Sequence, residues 1–289
     1  MGRRDCKMDK QKRKIAEYYD ITLPYYRRFW HRDSESHALH YGFWDKDTKT
    51  VKDALLNENQ FLAEIAGITA GIKVLDAGCG IGGSAIWLVK NKGANVVGIT
   101  LSERQVEKAK ELAVENSVSD KTEFRLKDFT DTGFPDNSFD VVWAIESVCH
   151  AEDKKVFLRE AYRILRKGGK LVVADGFLWR KPQSEIEENI YKDFLEGLVL
   201  PNLLNVDQFR EDVRAAGFRD MKFWDKTKEI EPSSKILYRR VKWFYPIARL
   251  LNFLRIIPDL LIKNSKSGLA QRKLVKCGLG GYGVFYGEK

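Results

Sequence analysis

The chain has 289 residues, of which 44% are hydrophobic and 31% charged, a balance typical of globular proteins and unlike collagenous, low-complexity or disordered chains. Its apolar runs are shorter than the roughly 20 residues that span a bilayer, and its first residues are too polar for a signal peptide. The four cysteines lack CxxC spacing, which argues against a disulfide framework or a zinc site and leads us to expect a cytoplasmic protein.

The net charge of +9 is concentrated in a few segments. Residues 235–276 contain eleven Lys and Arg against one acid, Asp259, and the N-terminal tail is a second basic cluster. The basic character therefore belongs to particular surfaces and not to the whole protein.

Residues 1–66 are predicted to form a helical and aromatic lid segment. Helices are expected at about 12–20 and 50–66, around a block rich in Tyr, Phe and Trp at 18–44. His31, His37 and His40 lie in this block without the acid or cysteine spacing of a metal site, so no metal is expected.

From residue 73 onward, short apolar runs alternate with amphipathic segments, which predicts βαβ units. The expected fold is α/β: a Rossmann-like, seven-stranded, mostly parallel sheet with helices on both faces. With cap insertions at 181–204 and 231–279, this domain occupies residues 67–289. Strands are predicted at 73–77, 95–100, 123–127, 139–144, 170–175, 221–226 and 282–287, and helices at 83–91, 102–116, 154–166 (ended by Gly168 and Gly169) and 205–216.

The first predicted strand runs into a glycine-rich loop, DAGCGIGG, at residues 76–83. Gly78 and Gly80 allow a sharp turn and a close approach of the backbone to a ligand, and the next helix directs unpaired N–H groups at that ligand. Together with Gly83 they also satisfy the dinucleotide fingerprint GxGxxG.

The choice of cofactor depends on residues around this loop. The second strand ends without the acid that holds the ribose of NAD, although Arg104 would suit the 2′-phosphate of NADP. Asp76 favours S-adenosylmethionine, because its carboxylate would repel a pyrophosphate but attract amino and sulfonium groups. A loop that only packs helix on strand is the third interpretation.

Residues 73–180 resemble the core of the class I S-adenosylmethionine-dependent methyltransferases in LDAGCGIGG, VVGITLS, KDFTDTGFPDNSFDVVWAIES and ILRKGGKLVVAD. The segments YYDITLPYYRRFW, HYGFW and GITLSERQ are similar to the branch of sterol C-methyltransferases, tocopherol C-methyltransferases and cyclopropane fatty acid synthases.

The resemblance implies S-adenosylmethionine as the cofactor and a role for several residues around it. The glycine loop would contact its methionine part, the end of the second strand its ribose, the end of the third its adenine, and the end of the fourth its sulfur. The matching residues are Asp76, Gly78 and Gly80; Thr100, Leu101 and Gln105; Asp128 and Phe129; and Ala144 with Glu146. Members of this branch often lack the second-strand acid, which fits this sequence.

Two residues after the fourth strand are candidates for proton transfer. Glu146 and His150 lie at its ligand-binding end, and His150 would titrate near neutral pH, although it would serve equally well as a helix cap. His40 and Tyr41 are expected to close over the site, or else to be structural.

Three tyrosines of the aromatic block and one cysteine refine the predicted site. Tyr18, Tyr19 and Tyr26 are expected to line the sulfonium pocket, where aromatic faces stabilise positive charge. In cyclopropane synthases a Glu that helps to bind bicarbonate stands where this chain has Cys149, so the resemblance favours simple methylation over cyclopropanation.

The basic insertion contains a second periodic segment. Between Pro246 and Pro258, Ile247, Leu250, Leu251, Leu254 and Ile257 recur at helical spacing, opposite Arg249, Asn252 and Arg255. A helix lying on a membrane surface, a cap helix packed on the core, and a nucleic-acid surface are all compatible with this pattern.

The sequence thus predicts a methyltransferase that acts on a small hydrophobic acceptor, such as a lipid, sterol-like or prenyl compound, by C-methylation, with peripheral membrane contact through 235–276. N- or O-methylation of a small polar metabolite, RNA methylation and a non-catalytic cofactor-binding protein are the alternatives. Nucleic acid is disfavoured because the fourth-strand segment reads AIES and not a base-methylating motif.

Overall fold

The computed structural model describes residues 9–25, 37–38 and 40–289. These residues build a mixed eight-stranded sheet in the order β3-β2-β1-β4-β5-β8-β7, with the short β6 beside β5. Pairs from β3 to β5 are parallel, whereas β8 runs antiparallel to β5 and β7. The strands are β1 (Lys73–Ala77), β2 (Asn95–Thr100), β3 (Thr122–Leu126), β4 (Phe139–Ile145), β5 (Leu165–Leu178), β6 (Leu204–Asn205), β7 (Arg219–Asp225) and β8 (Gly280–Glu288).

The helices cover both faces of the sheet and its ligand-binding edge. Buried apolar residues alternate along the strands, so that Val74 packs under one layer of helices and Leu75 under the other. The described helices are α1 (Lys10–Tyr25), α2 (Val51–Ala66), α3 (Gly83–Lys92), α4 (Glu103–Glu115), α5 (Lys154–Ile164), α6 (Glu185–Leu198), α7 (Val206–Ala215), α8 (Thr227–Phe253) and α9 (Asp259–Lys276).

Helices α6, α8 and α9 form a cap outside the sheet, and small residues allow them to pack closely. A Cβ at Gly197 of α6 would lie 2.2 Å from the carbonyl oxygen of Lys263 in α9. A Cβ at Gly268 of α9 would lie 3.1 Å from Val241 Cγ2 in α8. Within the described part of the chain, no helix is both long and apolar enough to cross a membrane.

The predicted α/β fold is confirmed, and all seven predicted strands are present. Strand β5 is longer than predicted because it continues past Asp175 to pair with both β6 and the start of β8. The two-residue β6 was not predicted, since two residues carry no periodicity.

Two predicted boundaries were wrong. Helix α5 ends at Ile164 and not near Gly168, because Leu165 already pairs with Phe139 as the first residue of β5; Gly168 then donates its N–H to the carbonyl of Lys289. Pro246 lies inside α8 and does not begin a helix. The helix continues through this proline, which removes only one backbone donor, because its inner face packs against α9.

Candidate active site

The glycine loop between β1 and α3 has a backbone shape that other residues rarely adopt. Gly78, Gly80 and Gly82 have φ of +95°, +54° and +85°, in the region that favours glycine. A Cβ at Gly78 would also lie 2.4 Å from the Cβ of Ser147 in the loop after β4. The loop can therefore bring two sheet-edge loops together beside the first turn of α3.

Asp76 lies at the floor of this loop, only 3% exposed. Its Oδ2 atom is buried without a hydrogen-bond partner among the described residues, and burial raises the pKa of its carboxyl to about 7. A buried carboxylate without a partner is unfavourable by itself, so the position suits a ligand that brings a positive charge.

The ends of β2 and β3 form the next wall of the pocket. The Thr100 hydroxyl donates to Gln105 Oε1 at 2.6 Å, and the Ser102 hydroxyl accepts from the backbone N–H of Gln105 at 3.1 Å. Asp128 follows β3, is 5% exposed and pairs with Lys12 of α1 across 2.7 Å. This wall is polar and preorganised, as a site for a ribose and an adenine needs to be.

Helix α1 lies across these strand ends and connects them to the cap. Its Lys12 pairs with Asp128, as described above, and its Asp20 accepts a hydrogen bond from Ser102 Oγ at 2.5 Å. The Tyr18 hydroxyl accepts a hydrogen bond from Asn264 Nδ2 of α9 at 2.6 Å. One helix thus contacts the β2 loop, the β3 loop and the cap.

The loop after β4 carries the two titratable candidates. Glu146 has φ +48°, and its Oε1 accepts the backbone N–H of Tyr41 at 2.8 Å. Burial, with the nearby carboxyl of Glu58, raises the pKa of Glu146 well above its ordinary value. His150 Nε2 lies 2.8 Å from the Tyr19 hydroxyl.

His150 is a neutral imidazole near neutral pH. Burial, with a smaller contribution from Lys154, lowers its pKa to about 4. Its Nδ1 atom is buried without a hydrogen-bond partner among the described residues. One ring nitrogen is therefore fixed by Tyr19, and the other is not engaged by these residues.

His40 is held by a buried carboxylate. Glu58 is fully buried and accepts three hydrogen bonds, from His40 Nδ1 at 2.6 Å, from the Gly42 N–H at 3.0 Å and from the Tyr282 hydroxyl at 2.8 Å. The other ring nitrogen of His40 is 3.5 Å from Ser84 Oγ. The position of the ring at the site is thus set by α2 and β8.

Two cavities meet at these side chains. The smaller, about 130 Å³, is lined by the glycine loop and the ends of β2 and β3. The larger, about 1170 Å³, lies between α1 and the cap helices and is mostly apolar. Both cavities are lined by four residues: Tyr19, His40, Glu146 and His150.

Comparison with known proteins identifies the family. The model of a methyltransferase domain matches residues 75–173. The 27-O-demethylrifamycin SV methyltransferase of Amycolatopsis mediterranei is 32% identical over 220 residues, which cover 76% of this chain and 78% of that protein. The chain belongs to the S-adenosylmethionine-dependent methyltransferases. S-adenosylmethionine is therefore its cofactor, and the dinucleotide alternative is excluded.

Two further matches are with proteins of the branch that the sequence resembles. Cycloartenol-C-24-methyltransferase 1 of Oryza sativa subsp. japonica is 29% identical over 249 residues, covering 85% of this chain and 68% of that protein. The structure of the cyclopropane synthase MmaA2 from Mycobacterium tuberculosis aligns over 99% of this chain and 100% of that chain, with a TM-score of 0.84 at 17% identity. The second match shows the shared fold.

The residues of the methyltransferase fit this cofactor. The unpartnered, buried oxygen of Asp76 suits the cofactor's amino group, and the positive φ of Gly78 and Gly80 lets the backbone approach it. Most residues predicted to bind the cofactor line the smaller cavity: Asp76, Gly78, Gly80, Thr100, Leu101, Gln105, Asp128 and Phe129.

Two of the predicted cofactor residues lie elsewhere. Tyr18 lines the larger cavity, and its neighbour Tyr19 lines both. Ala144 is buried in the core inside β4, paired with Val173, whereas Ile145 reaches the smaller cavity. Tyr26 lies outside the described residues.

All four residues predicted to be catalytic, Glu146, His150, His40 and Tyr41, line the larger cavity. The sequence did not indicate three residues that support the predicted ones. Lys12 pairs with Asp128, and Glu58 contacts both His40 and Tyr282. These contacts join segments far apart in the chain, and single-sequence patterns carry no signal for such pairs.

Proposed function

We propose that this methyltransferase methylates a small hydrophobic acceptor held in the larger cavity, and that it reacts at carbon. The observation that carries this proposal is the junction of a large, mostly apolar cavity with the cofactor pocket at Tyr19, His40, Glu146 and His150. The rice relative, named for C-methylation of cycloartenol, supports both the acceptor class and the atom.

The smaller cavity would orient the cofactor. Bound S-adenosylmethionine supplies a methyl group that its sulfonium already activates, so positioning provides much of the acceleration. Asp76 would pair with the amino group, Thr100, Leu101 and Gln105 would hold the ribose, and Asp128 with Phe129 would bind the adenine. This arrangement would leave the sulfur end facing the four shared residues.

Reaction at carbon produces positive charge in the acceptor, and the junction is built to stabilise it. Tyrosines line the larger cavity, among them Tyr18, Tyr19, Tyr41 and Tyr282. Aromatic faces attract cations. The carboxyl groups of Glu146 and Asp175 line it too, which adds electron-rich groups at the same place.

His150 would then accept the proton that the methylated carbon loses. Its ring is neutral because burial lowers its pKa to about 4, and a neutral imidazole can accept a proton. In the tautomer whose Nε2–H donates to Tyr19, Nδ1 carries the lone pair. Glu146 would hold Tyr41 and the lid in place through its 2.8 Å contact with the Tyr41 N–H.

Residues 1–66 would act as a lid over both cavities. Helix α1 contributes Lys12 and Asp20 to the cofactor side and Tyr18 and Tyr19 to the acceptor side. Exclusion of water by such a lid would protect the carbocation from quenching.

The apolar cavity disfavours the two polar alternatives. Its accessible lining is mainly apolar, with Phe194, Leu198, Leu203, Leu251 and Leu274 among the contributors. A polar metabolite would leave this surface unmatched, and a base in RNA would have to pass the cap helices.

The basic segment 235–276 would bring the protein to a membrane surface. Arg249 and Arg255 are exposed on this segment, where they would meet anionic headgroups. Sedimentation with phosphatidylserine vesicles should retain the wild type and release Arg249→Glu/Arg255→Glu. The matched control Lys110→Glu/Lys121→Glu reverses two exposed charges elsewhere and should sediment like the wild type; equal sedimentation of all three proteins would contradict the contact.

The function is tested by incubating the protein with methyl-labelled S-adenosylmethionine and either a total lipid extract or an aqueous metabolite extract. Label should enter the lipid extract as a new carbon-bound methyl group, identified by NMR of the product. Label only in the aqueous extract would overturn the acceptor class. An oxygen-bound methyl group in a lipid would contradict reaction at carbon but would still support a hydrophobic acceptor.

A further inference from the structure

Exposed large apolar side chains lie between residues 243 and 256, in the second half of α8 and the turn that follows it. Trp243 and Phe253 are 80% and 82% exposed. Four neighbours, Ile247, Leu250, Leu254 and Ile256, are each more than half exposed. We refer to these six residues, from the second half of α8 and the turn before α9, as the apolar tip. A water-facing patch of this kind marks an interaction surface.

The same part of α8 also lines the acceptor cavity. Val241, Phe244, Ala248 and Leu251 recur every three or four residues and form its inner face. Ile247 belongs to both the cavity lining and the apolar tip. The helix is therefore apolar on its outer as well as its inner side, so the cavity wall and the exposed patch form one continuous surface.

The cavity is long as well as large. Along α8 its lining extends from Ile230 to Leu251, which at 1.5 Å per helical residue corresponds to roughly 30 Å. Ile230 packs in the core cluster that contains Tyr282, near the junction with the cofactor pocket. The other end of the cavity is at the apolar tip.

The positive charge around the apolar tip favours an anionic bilayer as its partner. From Pro232 to Pro258 there are six Lys and Arg and no acid, and Arg249 and Arg255 are exposed within the apolar segment itself. Aromatic and basic residues that surround aliphatic ones are typical of proteins that lie in the headgroup region of an anionic bilayer. No helix among the described residues could span the bilayer, so the tip would lie on it.

We infer that the apolar tip is both a bilayer-docking surface and the mouth of the acceptor cavity. This inference rests on the proposed function and deepens it: the acceptor passes from the membrane into the cavity without crossing water. Its reactive end travels the length of α8 to His150, and its tail stays toward the tip. The substrate class is therefore a membrane amphiphile that is methylated at the end opposite its long apolar tail.

The test compares Trp243→Gln/Phe253→Gln with Val114→Gln/Ile186→Gln, which removes two exposed apolar side chains from α4 and α6. Each full-length protein is mixed with phosphatidylcholine vesicles that contain phosphatidylserine and a pyrene-labelled long-chain alcohol. Four quantities are measured: sedimentation with vesicles, the rate at which the alcohol leaves the vesicles for the protein, binding of the alcohol from detergent, and affinity for S-adenosylhomocysteine.

The tip variant should lose at least about tenfold in vesicle partition and a similar factor in uptake rate, with unchanged S-adenosylhomocysteine affinity and unchanged binding of the alcohol from detergent. The control variant should match the wild type in all of these. Equal sedimentation of both variants would overturn docking. If the tip variant no longer sediments with vesicles but takes up the alcohol at an unchanged rate, the apolar tip is not the mouth of the acceptor cavity. Failure of the wild type to bind the alcohol even from detergent would instead overturn the hydrophobic acceptor.

Discussion

The two cavities of this methyltransferase share four side chains but are built in opposite ways. The cofactor pocket consists of short loops at the ends of adjacent parallel strands, with backbone groups and small polar side chains in fixed places. The acceptor cavity lies among the side chains of α1, α6, α8 and α9, and its volume is about nine times larger, 1170 Å³ against 130 Å³. A pocket made of backbone can bind one ligand across a family, whereas a pocket made of side chains can change its ligand by substitution.

Two expected effects are the largest, and the first of them concerns the cofactor side alone. Asp76→Asn removes the buried carboxylate that would pair with the amino group, so affinity for S-adenosylhomocysteine should fall about a hundredfold, as expected for loss of a buried charge partner. Calorimetric titration measures it, with Asp120→Asn, an exposed acid, as the control. The fold should persist, because the buried carboxylate is unfavourable without a ligand; unchanged affinity would mean that Asp76 does not contact the cofactor.

Replacement of His150 should affect the chemistry and not the cofactor. His150→Gln keeps a polar side chain but removes the proton acceptor, so kcat should fall about a hundredfold or more. Affinity for S-adenosylhomocysteine should stay within about twofold. Transfer to lipid extract measures the first quantity and calorimetry the second. A variant with wild-type kcat would exclude His150 as the base.

The pH dependence of cofactor affinity distinguishes the two regions again. Burial raises the pKa of Asp76 to about 7, so its carboxyl group must lose a proton before it can pair with a cation. Affinity for S-adenosylhomocysteine should therefore fall about tenfold from pH 8 to pH 6, and this slope should vanish in Asp76→Asn. His150 stays neutral over the same range, since its pKa is lowered to about 4. A flat wild-type profile would contradict the assignment.

In the protein without cofactor, the contribution of Asp76 to folding stability should depend on pH with the opposite sign to its contribution to cofactor affinity. Because the pKa of Asp76 is raised in the folded state, that state binds more protons than the unfolded chain between pH 4 and 7, and Asp76 makes stability fall as pH rises through this window. His150, with its lowered pKa, has the reverse effect between about pH 4 and 6.5. Thermal unfolding should show a steeper gain with pH in Asp76→Asn than in the wild type; parallel profiles would contradict the raised pKa.

The smallest expected effect is at the junction. Tyr19→Phe keeps the ring that faces the acceptor but removes the hydroxyl 2.8 Å from His150 Nε2. Loss of one such hydrogen bond corresponds to about a fivefold decrease in kcat. Rate measurements should be paired with Tyr25→Phe, which keeps all contacts with His150. Equal rates for both variants would mean that Tyr19 does not position the imidazole.

The contrast between the two regions also explains what the sequence could predict. Asp76, Gly78, Gly80 and Asp128 follow strands whose hydrophobic runs are clear, so their meeting at one sheet edge follows from parallel topology. The acceptor side depends on contacts between distant segments, such as Tyr19 with His150 and His40 with Glu58. Ala144 shows the limit of alignment by motif. It is buried in the core, whereas Ile145, one residue further along β4, lines the smaller cavity.

The most direct test is a crystal structure of the protein with S-adenosylhomocysteine. We expect the amino nitrogen of the bound molecule within about 4 Å of an Asp76 carboxyl oxygen. Its sulfur should face Tyr19 and His150 at the mouth of the larger cavity. A sulfur turned away from that cavity, or an amino group remote from Asp76, would contradict the assignment of the two cavities.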